Sequence, residues 1–136
     1  MTLCPYLSFN GNCAEAFQFY AECLGGEVAA TFTYEGSPMA KDMPPEWGKK
    51  LMHARFVVGG LVLMGSDQPP GQYQQPIGFS VSLSVNDPAE AERAFQALSK
   101  GATVTLPFQK TFWSSGFGMI VDRFGIPWMI NSDQAS

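Results

Sequence analysis

An internal repeat is the feature that most constrains the fold of this chain. The stretch Asn12-Cys13-Ala14-Glu15-Ala16 recurs as Asp87-Pro88-Ala89-Glu90-Ala91, at an offset of 75 residues. At the same offset Gly101 repeats Gly26, so the start and the end of a helix coincide in the two copies. The repeat predicts a chain of two similar halves.

Each copy carries the signals of one amphipathic helix. Asn12 and Asp87 are suitable N-caps, each followed three residues later by a Glu as in a capping box. Glycines at positions 25, 26 and 101 favour helix ends. The apolar residues at helical spacing are Ala16, Phe17, Tyr20 and Leu24 in the first copy and Ala91, Ala94, Phe95 and Leu98 in the second. Each helix is expected to bury one face.

Strand signals flank both helices. The predicted strands are residues 3–9, 27–34, 51–58 and 61–66, then 79–85, 103–106, 115–122 and 126–131. Gly59-Gly60 predicts a tight hairpin, and a second hairpin turns at residues 123–125. Asp67 and Asp122 are interpreted as turn residues. The proline-containing segment 35–50 is predicted to be a loop long enough to act as a lid.

The pattern predicts an α+β fold built from two tandem βαβββ modules. We expect one domain over residues 1–136, with a first module at 3–67, a linker at 68–78 and a second module at 79–131.

Composition narrows the range of partners. The formal charge is −4 and the sequence has no cluster of Lys or Arg, which disfavours nucleic acid and anionic membrane as partners. The longest largely apolar stretch, residues 54–64, is too short to span a bilayer, and the N-terminus lacks the pattern of a secretion signal. Three cysteines without CxxC spacing indicate reduced thiols rather than disulfides or a zinc site. A cytoplasmic protein with a small-molecule partner is expected.

The repeated βαβββ order resembles the vicinal oxygen chelate superfamily, whose paired modules curl their sheets around a shared cavity. Four segments resemble its PhnB-like branch: residues 5–13, the Met-His-Ala-Arg stretch 52–55, residues 111–113 and the Asp-Arg-Phe-Gly segment 122–131. The resemblance implies the glyoxalase/bleomycin resistance fold, with a curved, barrel-like mixed sheet around a cavity, and a homodimer. The branch is also described as similar to demethylubiquinone methyltransferases, but the sequence has no glycine-rich strand-to-helix loop for a nucleotide-type cofactor.

Metal-dependent members of the superfamily draw His and Glu ligands from the first and last strands of each module. By resemblance those positions correspond to Pro5, Leu63 or Met64, Ser80 and Met129. A divalent ion needs several converging nitrogen or oxygen donors, and these residues do not supply them. We therefore expect neither a metal nor another cofactor.

His53, the one histidine, is the first candidate for a functional residue. Strand alternation places it on one face with Arg55 and Val57, and a group that titrates near neutrality can act as a general base or anchor an anionic ligand. The alternative is a hydrogen-bonded structural histidine. Tyr6 and Cys13 are possible partners in catalysis, although Cys13 on a packed helix also fits an inert buried thiol.

A second set of candidates would bind a ligand through apolar surface. The predicted ligand-binding residues are Tyr6, Met64, Trp113, Trp128 and Met129. For both tryptophans the alternative is a place in the core.

Three functions remain open on the sequence. The first is a metal-independent protein that binds a small apolar or aromatic molecule. The second is a glyoxalase-, dioxygenase- or methyltransferase-like enzyme in which His53 acts on a small carbonyl or aromatic substrate. The third is a scaffold whose surface serves only protein assembly.

Overall fold

A computed structural model, which describes residues 1–132, divides the chain into two compact units between Gln75 and Pro76. That boundary falls inside the segment 68–78 predicted as a linker. The first unit contains β1 (Tyr6–Phe9), α1 (Cys13–Leu24), β2 (Glu27–Thr33), β3 (Leu51–Val58) and β4 (Leu61–Asp67). The second contains β5 (Val81–Val85), α2 (Pro88–Leu98), β6 (Thr103–Gln109), β7 (Gly116–Val121) and β8 (Pro127–Ser132). The predicted βαβββ order is confirmed in both units.

Each unit forms one four-stranded mixed sheet. The strand orders are β1-β4-β3-β2 and β5-β8-β7-β6. In both sheets the first strand runs parallel to the last, and the other neighbours are antiparallel. Each sheet keeps two edge strands, so neither closes on itself into a barrel.

One face of the first sheet is covered by α1. The ring of Phe17 packs edge-on against Phe9 of β1 at 5.7 Å and lies 6.1 Å from Phe56 of β3. Gly65 of β4 allows this close approach, because an added Cβ would lie 2.9 Å from the Leu7 carbonyl oxygen and 3.0 Å from the Phe17 ring. These rings form the core of the unit.

The second unit repeats this packing with α2. Ala91, Phe95 and Leu98 are buried on the helix, as the apolar spacing predicts. A Cβ on Gly118 of β7 would lie 2.6 Å from the Phe95 ring, so that glycine allows helix and sheet to meet. The face of the sheet that carries Gly118 is therefore the one packed on α2.

The two helices begin differently, which corrects two predictions. Asp87 caps α2 as expected, with its carboxylate accepting a hydrogen bond from the Ala89 amide at 3.1 Å. Asn12 makes no capping hydrogen bond to α1. Instead Asp67, interpreted above as a turn residue, is the buried last residue of β4, and its carboxylate accepts from the amide of Cys13 at 2.9 Å and that of Leu51 at 2.8 Å.

Both predicted hairpins are present. Gly59 and Gly60 have φ values of 54° and 84°, the left-handed pair that a two-residue turn needs to match strand twist. In the second unit Asp122 accepts hydrogen bonds from the amides of Phe124 at 2.9 Å and Ile126 at 3.0 Å, which confirms its structural role in the turn.

The segment between β2 and β3, predicted as a loop, contains two short 3-10 turns at Ala40–Asp42 and Pro45–Trp47. Lys50 closes the segment onto the β1–α1 connection, since its ammonium donates to the Gly11 carbonyl at 2.8 Å. Over residues 1–132, no helix is both long enough and apolar enough to cross a membrane.

Candidate functional site

The first sheet has a second face, opposite α1, which we call the helix-free face. Strand alternation sends Ala54 and Phe56 of β3 toward the helix, where both are fully buried, and sends His53 and Arg55 the other way. The helix-free face is defined here by Tyr6, Phe32, His53, Arg55 and Met64.

His53 lies between two aromatic rings on this face. Its Nδ1 is hydrogen-bonded to the hydroxyl of Tyr6 at 3.0 Å, and the two ring centroids are 5.8 Å apart. Phe32, the cross-strand neighbour of His53, has its centroid 6.2 Å from the imidazole. Tyr6 is 50% exposed and Phe32 is 56% exposed. The bond to Tyr6 engages Nδ1, and Nε2 makes no hydrogen bond with any of residues 1–132.

Strand register places Met64 beside this group. Met64 pairs with Tyr6 on one side and with Arg55 on the other. The side chains of directly paired residues project to the same face of a sheet. The three predicted first-unit residues, Tyr6, His53 and Met64, are therefore brought together on one face, and Arg55 completes the row.

Three polar residues that the sequence analysis did not select lie on the same strands or directly after them. Gln68 donates from its side-chain amide to the hydroxyls of Ser8 and Ser66, each at 3.3 Å. Ser8 and Ser66 pair with each other in the β1–β4 ladder. Each lies two positions beyond Tyr6 or Met64, so strand periodicity alone would have placed them on the face that carries His53.

The other three predicted ligand-binding residues belong to the second unit. Met129 of β8 pairs with Ser82 and with Met119 and lies on the face of that sheet opposite α2. Trp113, in the loop between β6 and β7, is 52% exposed and makes edge-on contacts with Phe112 at 4.7 Å and Phe117 at 5.6 Å.

Trp128 takes the alternative place in the core. It is 1% exposed, and its indole N–H donates to the Asp122 carboxylate at 2.9 Å. Since β8 alternates, Trp128 shares the helix-covered face with Ile130, whereas the adjacent Met129 projects to the opposite face. Its burial and its hydrogen bond explain Trp128 as a structural residue.

Cys13 is poorly placed for thiol chemistry. Its side chain is fully buried at the start of α1. Burial raises the pKa of the Cys13 thiol, and the nearby charge of Asp67 raises it further. Because the thiolate is the reactive form, these surroundings disfavour a nucleophilic role at neutral pH.

A surface cleft of about 250 Å³ is present elsewhere in the first unit. Its lining residues are Met39, Asp42, Met43, Pro44, Pro69, Pro70 and Gln72. None of these is a residue of the helix-free face. The cleft follows from two proline-containing loops, and it contains no histidine or cysteine.

The side chains at the positions that correspond to metal ligands in the superfamily do not fit a divalent metal ion. The residues that pair with Met64 and Met129 are Tyr6 and Ser82, one position after Pro5 and two after Ser80, the positions taken from the resemblance. A phenol, two thioethers and a hydroxyl are not the imidazole and carboxylate ligands that hold such ions. Within residues 1–132, no three His, Cys, Asp or Glu side chains are grouped so that they could hold a metal ion.

The fold defines the class of protein. A glyoxalase/bleomycin resistance protein/dioxygenase domain from Frankia sp. EAN1pec superposes with a TM-score of 0.69 at 17% identity, covering 98% of each chain. The predicted glyoxalase/bleomycin resistance fold is thereby confirmed.

Residues 1–131 match the model of the family described as 3-demethylubiquinone-9 3-methyltransferase, and the chain belongs to that family. It is 33% identical to Protein YjdN of Escherichia coli, over 96% of this chain and 95% of that protein. The crystal structure of PA1353 from Pseudomonas aeruginosa is similar at 47% identity and a TM-score of 0.89, covering 99% of both chains. The structure of a PhnB protein from Bacillus cereus has a TM-score of 0.81 at 19% identity, covering 97% of this chain and 99% of that one. The resemblance to the PhnB-like branch is confirmed.

Proposed function

We propose that this protein binds a small apolar or aromatic molecule on the helix-free face of the first sheet. The observation that carries the proposal is the His53 imidazole held by the Tyr6 hydroxyl and flanked by the exposed ring of Phe32. Half-exposed rings offer flat apolar surface that a ligand can cover, and Nε2 of His53 supplies one polar contact for orientation.

Binding without turnover is favoured by what surrounds His53. Its Nδ1 partner is a phenol and not the carboxylate that orients a catalytic imidazole in hydrolytic triads. The one thiol considered as a nucleophile, Cys13, is buried at the start of α1 on the opposite side of the sheet. These features support an anchor for a ligand better than a complete catalytic group.

An enzyme is the second candidate, and the Tyr6–His53 hydrogen bond is the observation that favours it. A phenol and an imidazole in contact can relay a proton to a small carbonyl or aromatic substrate. Methyl transfer, which the family description names, has less support in this chain. The connection from β1 to α1 is the short Asn10-Gly11-Asn12 segment, which lacks the glycine-rich phosphate loop of nucleotide-type cofactors.

Metal independence is part of the proposal and is supported by the thioether and hydroxyl side chains at the positions discussed above. Elemental analysis of the purified protein tests it directly. Less than a tenth of an equivalent of transition metal is expected, and a stoichiometric metal that raises the melting temperature would overturn it. The homodimer expected from the family resemblance also stays a proposal, and sedimentation velocity tests it.

The single histidine makes the binding experiment specific. The Cε1–H signal of His53 is the one histidine signal of the chain in an NMR spectrum, so a metabolite library can be screened for compounds that shift it. Phe32→Ala, followed by this signal, and His53→Ala, followed by isothermal titration calorimetry because it lacks the signal, are expected to weaken binding of a hit by about tenfold or more, on the scale of a lost aromatic or polar contact. Phe112→Ala, which removes a 97% exposed ring in the second unit, is the matched control and should bind as the wild type does.

Recovery of the ligand separates the two candidates. A hit that saturates and returns unchanged after long incubation supports the binding protein. Turnover that His53→Ala abolishes without changing the melting temperature would establish the enzyme instead. A library that moves neither the His53 signal nor the melting temperature would contradict both and favour the scaffold.

A further inference from the structure

We propose that the ligand is an aromatic acid whose carboxylate is bound by Arg55 beside His53. This inference rests on the proposed function, since it assigns a chemical class to the ligand of the same face. The observation behind it is an exposed guanidinium that makes no salt bridge within the part of the chain that the structure describes, next to exposed aromatic rings.

Arg55 is exposed in the middle of β3 and forms no salt bridge with any of residues 1–132. The sequence has twelve acidic residues and only eight Lys or Arg, so acidic partners are in excess over the whole chain. An arginine left without one on a face that also carries the single histidine is therefore available to an external anion.

The position of Arg55 fits a ligand that also contacts the aromatic rings. It lies two residues from His53 on the same strand, a separation of about 7 Å along β3. Across the sheet it pairs with Met64, which in turn pairs with Tyr6. A planar ring placed over Met64 and Tyr6 would hold a carboxyl substituent within reach of both Arg55 and Nε2 of His53.

The residue that pairs with Arg55 on the β2 side leaves the guanidinium uncovered. Its partner in β2 is Ala30, whose methyl group cannot cover the guanidinium. The nearest acidic residue in this ladder is Glu27, which pairs with Val57, two positions further along β3. Glu27 makes no salt bridge with Arg55, so it does not satisfy the charge.

The surroundings favour a carboxylate over a phosphate ester. A guanidinium offers two parallel N–H donors that match the two oxygens of a carboxylate. Sites for phosphate usually add a helix N-terminus or several cations. The helix of this unit covers the opposite face of the sheet, so its N-terminal amides do not contribute, and Asp67 already accepts from the amide of Cys13.

Indole-3-acetate and indole-3-acetamide form the probe pair for the test. They share ring and size and differ in the negative charge. Titrations that follow the His53 Cε1–H signal are expected to give at least tenfold tighter binding of the acid at low ionic strength. Raising the salt from 20 to 500 mM should weaken the acid and leave the amide unchanged, because exposed charge pairs are screened.

Arg55→Gln is expected to remove the preference, so that acid and amide bind equally. Arg93→Gln, which removes an exposed arginine from α2 in the second unit, is the charge-matched control and should keep the preference. Equal binding of acid and amide by the wild type would overturn the carboxylate assignment while leaving the proposed function intact. If neither these probes nor the metabolite library shift the His53 signal, the proposed function fails, and this inference fails with it.

Discussion

The two units share one plan but differ in the chemistry of their helix-free faces. The ladders place Tyr6 opposite Met64 in the first sheet, and Ser82 opposite Met129 at the corresponding place in the second. Arg55 pairs with Met64, and Met119 pairs with Met129. The phenol and the guanidinium of the first unit are thus replaced by a small hydroxyl and a thioether.

The same correspondence extends to the histidine. His53 lies two positions before Arg55, and Phe117 lies two positions before Met119. The titratable group of the first face is replaced by a ring that is only 7% exposed and lies against Trp113. A repeated scaffold therefore carries a phenol, an imidazole and a guanidinium on one copy, and a small hydroxyl, a buried ring and a thioether at the matching positions of the other.

The units also differ in how each holds its helix, and here the largest effect is expected. Asp67→Ala should lower the free energy of unfolding by about 3–5 kcal/mol, because the buried amides of Cys13 and Leu51 both lose a charged acceptor. Urea denaturation measures the change. Asp87→Ala, which removes an exposed local cap from α2, should cost about 1 kcal/mol. Equal costs would show that the two helix starts are equivalent after all.

Trp128→Phe tests whether Trp128 contributes to the core of the second unit and not to ligand binding. It removes the indole donor to Asp122 and leaves a small void, so unfolding should become easier by about 2 kcal/mol. Binding of any ligand that shifts the His53 signal should be unchanged. A loss of binding at unchanged stability would return Trp128 to the ligand site.

The two units differ at the first helical position, where Cys13 in α1 corresponds to Pro88 in α2. We therefore expect a thiol-linked pH dependence of stability from the first unit alone. The pKa of Cys13 is raised in the folded state, so the unfolded chain releases its thiol proton at lower pH than the folded one. Stability linked to this proton is fully present below the ordinary thiol pKa of about 8.5 and falls as the pH rises above it. Cys13→Ala should show a shallower decline between about pH 8.5 and 10.5 in urea denaturation. Identical slopes for both proteins would contradict the assignment.

The smallest effect on stability is expected for Tyr6→Phe. The hydroxyl lies on a half-exposed residue, so the free energy of unfolding should change by less than about 0.5 kcal/mol. The His53 Cε1–H signal should nevertheless move, because Nδ1 loses its partner. An unmoved signal would show that the hydrogen bond is absent in solution.

Patterns that are local in the sequence predicted the elements of this fold well. The strand alternation around Ala54 and the Gly59-Gly60 pair place β3 and its hairpin correctly, because period and turn geometry depend on adjacent residues. The role of Asp67 could not be predicted in this way. Its partners Leu51 and Cys13 lie 16 and 54 residues away, and only the folded sheet brings them together.

The same distinction between local patterns and long-range contacts applies to the site. Periodicity was enough to place His53 and Arg55 on one face. The hydrogen bond between His53 and Tyr6 joins residues 47 positions apart and depends on the pairing of β1 with β4. The choice between core and ligand for Trp128 depended on the parity of β8 relative to α2, which sequence alone leaves open.

The parallel pairing of β1 with β4 determines when the proposed site can form during folding. Strands β2 and β3 each pair with the next strand along the chain, but β1 is only four residues long and its sole partner in the sheet is the last strand of its unit. During synthesis, Tyr6 must therefore wait until the chain has been extended past Met64 before it can meet His53. The site belongs to the latest contacts of the first unit, whose closing step joins its two ends.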